Sequence, residues 1–163
     1  MTTPIHYQTL AEVAGNIREG DVSSVEVTQN ILTRMEVLEP QLHTYYTVMG
    51  DQALEAAVAA DRRRRQGKQL GTLHGVPIAV KDLCHKRGAP TTAGHSFRKT
   101  STSDTDATVV ARLEAAGAVI LGKLATTEGA MVGYHCDFAV PRNPWGDLDR
   151  WPGVSSSGSG AAT

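Results

Sequence analysis

Leu10, Val13, Ala14 and Ile17 recur at helical spacing until Gly20 offers a stop, which predicts a first helix. A second follows at once. Ser23 and Glu26 have the spacing of a capping box, Val27, Ile31, Leu32, Met35 and Leu38 make one apolar stripe, and Pro40 is expected to end it. From Thr44 to Met49 the chain becomes β-branched and aromatic, the composition of a strand. Asp51 is placed to cap the Ala-rich helix after it, and that pattern breaks by Gly67.

In Gly71-Thr-Leu-His-Gly-Val-Pro-Ile-Ala-Val-Lys-Asp82 a short apolar strand runs straight into a charged pair, so Lys81 stands at a strand's carboxyl end, a common place for function. A loop dense in Thr, Ser and Gly spans Pro90 to Thr105. A helix is expected from about Asp106 to Ala116, then a strand from Ala118 to Leu121. Strand, helix, strand implies a parallel crossover and an α/β class, a sheet with helices packed on it. From Asn143 to Thr163 the sequence offers little to bury and reads as loop, including Gly153-Val-Ser-Ser-Ser-Gly-Ser-Gly160.

Composition narrows the function classes. With 163 residues there is room for one domain, and 40% apolar with 20% charged residues is an ordinary globular composition. A net charge of -1 provides no global field to recruit nucleic acid or an acidic membrane. The run Arg62 to Arg65 is the local exception, but helical spacing fans it around a solvated helix end. Two cysteines, Cys84 and Cys136, form no CxxC pair and suit a reducing compartment. The first residues lack a basic flank followed by an apolar run, and no stretch reaches transmembrane length, so a cytoplasmic location is expected.

Several motifs nearly match known chemistry. Gly117-Ala-Val-Ile-Leu-Gly-Lys123 fits the phosphate-loop pattern, but Ala-Val-Ile-Leu reads as a buried strand and Leu124 replaces the magnesium-binding hydroxyl. Ser96-Phe-Arg-Lys99 has the serine and lysine spacing of penicillin-recognising enzymes, yet the echoes of their other motifs crowd into the same loop. His85 beside Cys84 and His135 beside Cys136 invite a metal reading. Adjacent residues on extended chain point opposite ways, however, and no tetrahedral spacing appears, so no metal ligands are assigned. A Gly-x-Ser-x-Gly elbow is absent from the sequence.

What remains is an ordered set: Val22-Ser-Ser-Val-Glu26, Gly75-Val-Pro-Ile-Ala-Val-Lys-Asp82, Thr91-Thr-Ala-Gly94, Asp106-Ala-Thr-Val-Val-Ala-Arg-Leu113, Gly117 to Lys123, Asn143-Pro-Trp145 and the Gly/Ser block. In this order the chain resembles the amidase signature family from its early helices to its last residue. The resemblance implies a mixed sheet with flanking helices, here incomplete, and a catalytic centre of serine, cis-linked bridging serine and lysine. Lys81 matches the lysine of the family's Val-Lys-Asp motif. Gly153-Val-Ser-Ser-Ser-Gly-Ser159 resembles the family's Gly-Gly-Ser-Ser-Gly-Gly-Ser, which implies Ser155 as the bridge and Ser156 as its hydrogen-bonding support. Val154 departs from the usual glycine. The family's nucleophile follows in a second Gly-Gly-Ser block that these residues do not contain, so residues 1–163 are expected to be the amino-terminal part of one amidase domain, truncated before it.

Those residue types suit the chemistry. A serine hydroxyl attacks an amide weakly unless a base removes its proton, and a neutral lysine can do this through a bridging hydroxyl when burial disfavours the ammonium form. The resemblance thus implies hydrolysis of a non-peptide carboxamide, a small-molecule substrate, no cofactor and no metal, with no nucleic-acid or membrane partner; a homo-oligomer is compatible with it. Two alternatives stand beside it. One is the catalytic subunit of a glutamyl-tRNA amidotransferase, although Gly122-Lys-Leu-Ala-Thr-Thr-Glu-Gly129 and the triple serine depart from that subgroup's wording. The other is a noncatalytic fragment, and the chain on its own is expected to be inactive.

Overall fold

The computed structural model describes residues 3–131 and 133–163. Among the described residues are five α-helices, α1 (Leu10–Glu19), α2 (Ser24–Leu42), α3 (Gly50–Arg65), α4 (Thr108–Ala115) and α5 (Ser157–Ala162), and three strands, β1 (Tyr45–Val48), β2 (Pro77–Lys81) and β3 (Val119–Leu124). The strands form one mixed sheet in the order β1-β3-β2. β1 runs antiparallel to β3, while Val119 N–H bonds Val76 O and Asp82 N–H bonds Leu124 O, so β2 and β3 advance together. The crossover through α4 is therefore the parallel one that the order of elements implies.

The chain divides into two compact units. One comprises the amino-terminal residues through Met35, with Met49–Ile78 and Ala111–Leu121. Its core is Val13, Ala14, Ile17, Val27 and Val76, with Ile5, Val22, Ile31 and Ile78 packed against it. α1 begins with a capping box of Thr9 and Glu12 and stops at Gly20, whose φ of 92° is a left-handed cap. A side chain at Gly20 would displace only the flexible end of Arg64, so it is the left-handed turn that calls for glycine. Arg62, Arg63 and Arg65 are solvated at the end of α3, where their charge complements the helix dipole.

The start of α2 is satisfied more completely than its sequence suggests. Ser23 Oγ accepts from Glu26 N–H, and Glu26 Oε2 accepts from Ser23 N–H in return. The Ser23 N–H foremost, and the Ser23 hydroxyl, both donating to Glu26 Oε2, hold the Glu26 carboxyl below its usual range. The next two free donors, Ser24 N–H and Val25 N–H, are taken by the two oxygens of Asp61, a buried carboxylate on α3, at 2.8 and 3.2 Å. All the first-turn donors are thereby paired through a contact that joins two helices distant in sequence.

The boundaries of α2 and α3 differ from expectation. Pro40 does not end α2, which continues to Leu42 and stops at His43, a left-handed residue whose N–H bonds Glu39 O. Pro40 and Glu36 are exposed, so the carbonyl that loses its helical donor can bond solvent. Asp51 does not cap α3. The chain turns from β1 into the helix with Met49 at the cap position, and Asp51 lies inside the first turn, where a negative charge still suits the dipole.

Replacing Asp61 by Ala strands one buried and one part-buried N–H group, and we expect a loss of about 3 kcal/mol in urea unfolding. Asp61→Asn, which keeps one acceptor, should lose roughly half as much. A midpoint unchanged in both variants would show that water supplies the cap.

Candidate active site

The second unit comprises Glu36–Val48, Ala79–Val110 and Gly122–Thr163 and holds every candidate site residue. β3 is longer than the expected Ala118–Leu121 strand and carries all six residues buried, including a lysine. Gly122 permits this: a Cβ there would lie 2.2 Å from Thr47 O on the facing strand. Lys123 is fully buried, and its Nζ donates to Asp82 Oδ1 at 2.8 Å, Thr91 Oγ1 at 2.8 Å and Pro90 O at 3.1 Å. The other Asp82 oxygen accepts from Thr92 N–H and Thr92 Oγ1 at 2.9 and 2.5 Å. Both charges thus have full hydrogen-bond complements, the condition for tolerating a buried pair. The segment that fits a phosphate-loop pattern is a strand whose lysine is already committed.

Asp82 follows Lys81 directly, so the pair fixes the backbone from which Lys81 projects. Lys81 closes β2, its carbonyl takes the N–H of Cys84 in a turn, and its half-buried Nζ reaches Ser155 Oγ at 2.7 Å across 74 residues of sequence. The Val154–Ser155 peptide bond is cis. Ser155 is held through its carbonyl, which accepts from Thr126 Oγ1 at 2.9 Å and Thr127 N–H at 3.3 Å. Thr126 is anchored in turn, because its own carbonyl takes the Tyr46 hydroxyl at 2.7 Å. Tyr46 sits where the β1–β3 register shifts between Tyr45 and Thr47, an irregularity that re-aims a side chain. Burial pushes the Tyr46 phenol well above its usual range, so it remains a donor.

The Gly/Ser block is not all loop. Residues 157–162 form α5, with Ser157, Gly158 and Ala161 buried. Bulk does not drive this packing; its absence allows it. Gly158 N–H bonds Ala125 O, and a Cβ on Gly158 would stand 2.4 Å from Thr44 O and 2.5 Å from Ala125 N. Ser156 occupies the N-cap position of α5, exposed and without a side-chain cap bond, and its carbonyl accepts from Gly160 N–H. Its structural contribution is thus through the backbone.

Sequence reasoning did not single out Lys123, Asp82, Thr91 and Thr92 for a role. The available signal was a lysine inside an apolar strand, paired in number with an aspartate at the end of another. Nor did it anticipate that His135, Cys136 and Asp137 leave the extended path: Phe138 N–H bonds His135 O at 3.0 Å, and the turn brings one donor atom from each of the three within 4.8 Å of the others. Ser96 and Lys99 are absorbed here, since Ser96 Oγ donates to Asp137 Oδ2 and Lys99 Nζ to Asp137 O.

Lys81 and Ser155 are thus brought into hydrogen-bond contact from a strand end and a small-residue block. The chain matches the Amidase family over residues 26–163 and belongs to it. It is 55% identical over 154 residues to "Putative amidase AmiD" of Mycobacterium tuberculosis, covering 94% of this chain and 32% of that protein. It is 42% identical over 162 residues to a glutamyl-tRNA(Gln) amidotransferase subunit of Chloroflexus aurantiacus, covering 98% of this chain and 33% of that one. Among solved structures, native peptide amidase from Stenotrophomonas maltophilia superposes with a TM-score of 0.90 at 33% identity, over 98% of this chain and 34% of that one. The chain spans about a third of the length of these relatives.

Lys123→Met should cost about 3–5 kcal/mol, because it leaves the Asp82 carboxylate buried and uncompensated. Adding Asp82→Asn should restore a large part of that loss. Additive effects of the two substitutions in a double-mutant cycle would remove the pair from its structural role.

Proposed function

We propose that the full-length protein hydrolyses a non-peptide carboxamide through an acyl-serine intermediate, with Lys81 as base and Ser155 as the proton bridge. The 2.7 Å contact between Lys81 Nζ and Ser155 Oγ, in a chain of the Amidase family, carries this reading. In this scheme the nucleophile is supplied by a segment of the full-length protein beyond the Ser155 block. Its Oγ bonds the amide carbon, its proton passes to Ser155 Oγ, and the Ser155 proton passes to Lys81 Nζ. On collapse the C–N bond breaks, and the leaving nitrogen takes a proton from Ser155, which Lys81 restores. Water then cleaves the acyl-serine by the same relay in reverse. No step calls for a metal or a cofactor.

The 42% identity to an amidotransferase subunit over nearly the whole chain supports a second reading, in which released ammonia is passed on within a multi-subunit enzyme. Copurification of the native protein with partner subunits would favour it; recovery of a lone polypeptide that releases ammonia from simple amides would count against it.

In the full-length protein, Lys81→Ala should lower acylation by about 10²–10⁴-fold near neutral pH, measured as ammonia release and as labelling by a fluorophosphonate probe. Activity within tenfold of wild type would remove Lys81 as the base. The 163-residue chain alone should not label, and labelling of it would place the nucleophile within these residues.

A further inference from the structure

The turn at His135–Phe138 gathers an imidazole, a thiol and a carboxylate on one side of the chain. Cys136 Sγ lies 3.8 Å from His135 Nδ1 and 3.9 Å from Asp137 Oδ1, and His135 Nδ1 lies 3.8 Å from Asp137 Oδ2. Three donors around a tetrahedral ion, with bonds of about 2.0–2.3 Å, stand roughly 3.3–3.7 Å apart, so the two edges that meet at the thiol need to contract by only a few tenths of an ångström, and one donor atom of each residue already lies within 4.8 Å of the others. We propose that His135, Cys136 and Asp137 form a binding site for a zinc-class divalent transition-metal ion, with the fourth position open to solvent.

The surroundings support a built site. Phe138, the last residue of the turn, packs on Tyr46 with ring centroids 4.4 Å apart, and the Lys99 ammonium lies 4.8 Å from its ring centre. The base of the turn is therefore held by aromatic packing. Asp137 is oriented from behind: Ser96 Oγ donates to Oδ2, which leaves Oδ1 turned towards the thiol. Cys136 and Asp137 are exposed and His135 is half-buried, so an ion and its water have access.

The donor set selects the ion. Nitrogen, sulfur and oxygen together suit a borderline cation such as Zn²⁺ or Co²⁺, whereas calcium and magnesium require oxygen ligands throughout. Two contacts oppose binding. Asp137 N–H donates to His135 Nδ1 at 3.2 Å and must yield when that nitrogen turns to the ion, and the Lys99 ammonium stands 3.8 Å from Asp137 Oδ2. The first is a long bond on an exposed turn. The second lies on the oxygen that the proposed coordination does not use.

Cobalt titration of the metal-free protein tests the site, because thiolate ligation gives a near-ultraviolet charge-transfer band and tetrahedral coordination gives visible bands. Wild type and Cys84→Ser should bind one equivalent with both signatures, and zinc should displace the cobalt. Cys136→Ser should lose the charge-transfer band, and His135→Ala should bind at least about tenfold more weakly. Far-ultraviolet dichroism confirms that each variant is folded. No band in the folded wild type, a band that survives Cys136→Ser or disappears with Cys84→Ser, or undiminished affinity in His135→Ala would overturn the assignment.

Discussion

A lysine ammonium and an aspartate carboxylate enclosed at zero exposure must be satisfied by fixed partners, and this constraint organises the second unit. Lys123 and Asp82 meet at 2.8 Å, and their remaining hydrogen-bonding capacity is taken by Thr91, Thr92 and the Pro90 carbonyl. Removing either charge would leave the other uncompensated in a medium of low polarisability. The ends of β2 and β3 and the Thr91–Gly94 segment are thus tied to one point. Lys81, one residue before Asp82, projects from that fixed backbone towards Ser155.

The other half of the site is positioned by the opposite means. Around Ser155 the chain makes few large side-chain contacts; it is located by main-chain bonds from Thr127 and Gly158 and by the Thr126 hydroxyl. Backbone can approach this closely only where side chains are absent, as the contacts around Gly158 show. Charge on one side and absence of bulk on the other place an amine and a hydroxyl 2.7 Å apart. The fold matches a third of the length of peptide amidase from Stenotrophomonas maltophilia, with a TM-score of 0.90.

The helices were the most legible part of the molecule, because their signals are local. Gly20 as a left-handed stop and Ser23 with Glu26 as a reciprocal cap are set by residues within a turn of one another. At one boundary a distant group intervened. Asp106, which periodicity placed at the start of α4, instead accepts from Arg87 N–H and Lys86 Nζ, and the helix begins at Thr108. The Gly/Ser block was read as loop because hydrophobic pattern registers bulk, whereas α5 is buried through small residues.

By itself, the sequence determined α1 to α4, the three strands, the class of sheet and the family, since caps, periodicity and the order of short motifs depend on neighbours along the chain. It also singled out Lys81 and Ser155, through their places in those motifs. Only the tertiary structure decided what touches what: that Lys123 is spent on Asp82, that Asp61 caps a helix far from it in sequence, and that His135, Cys136 and Asp137 face one another across a turn. Such contacts depend on how segments distant in sequence pack and on where single backbone angles turn the chain, and neither is encoded in local spacing.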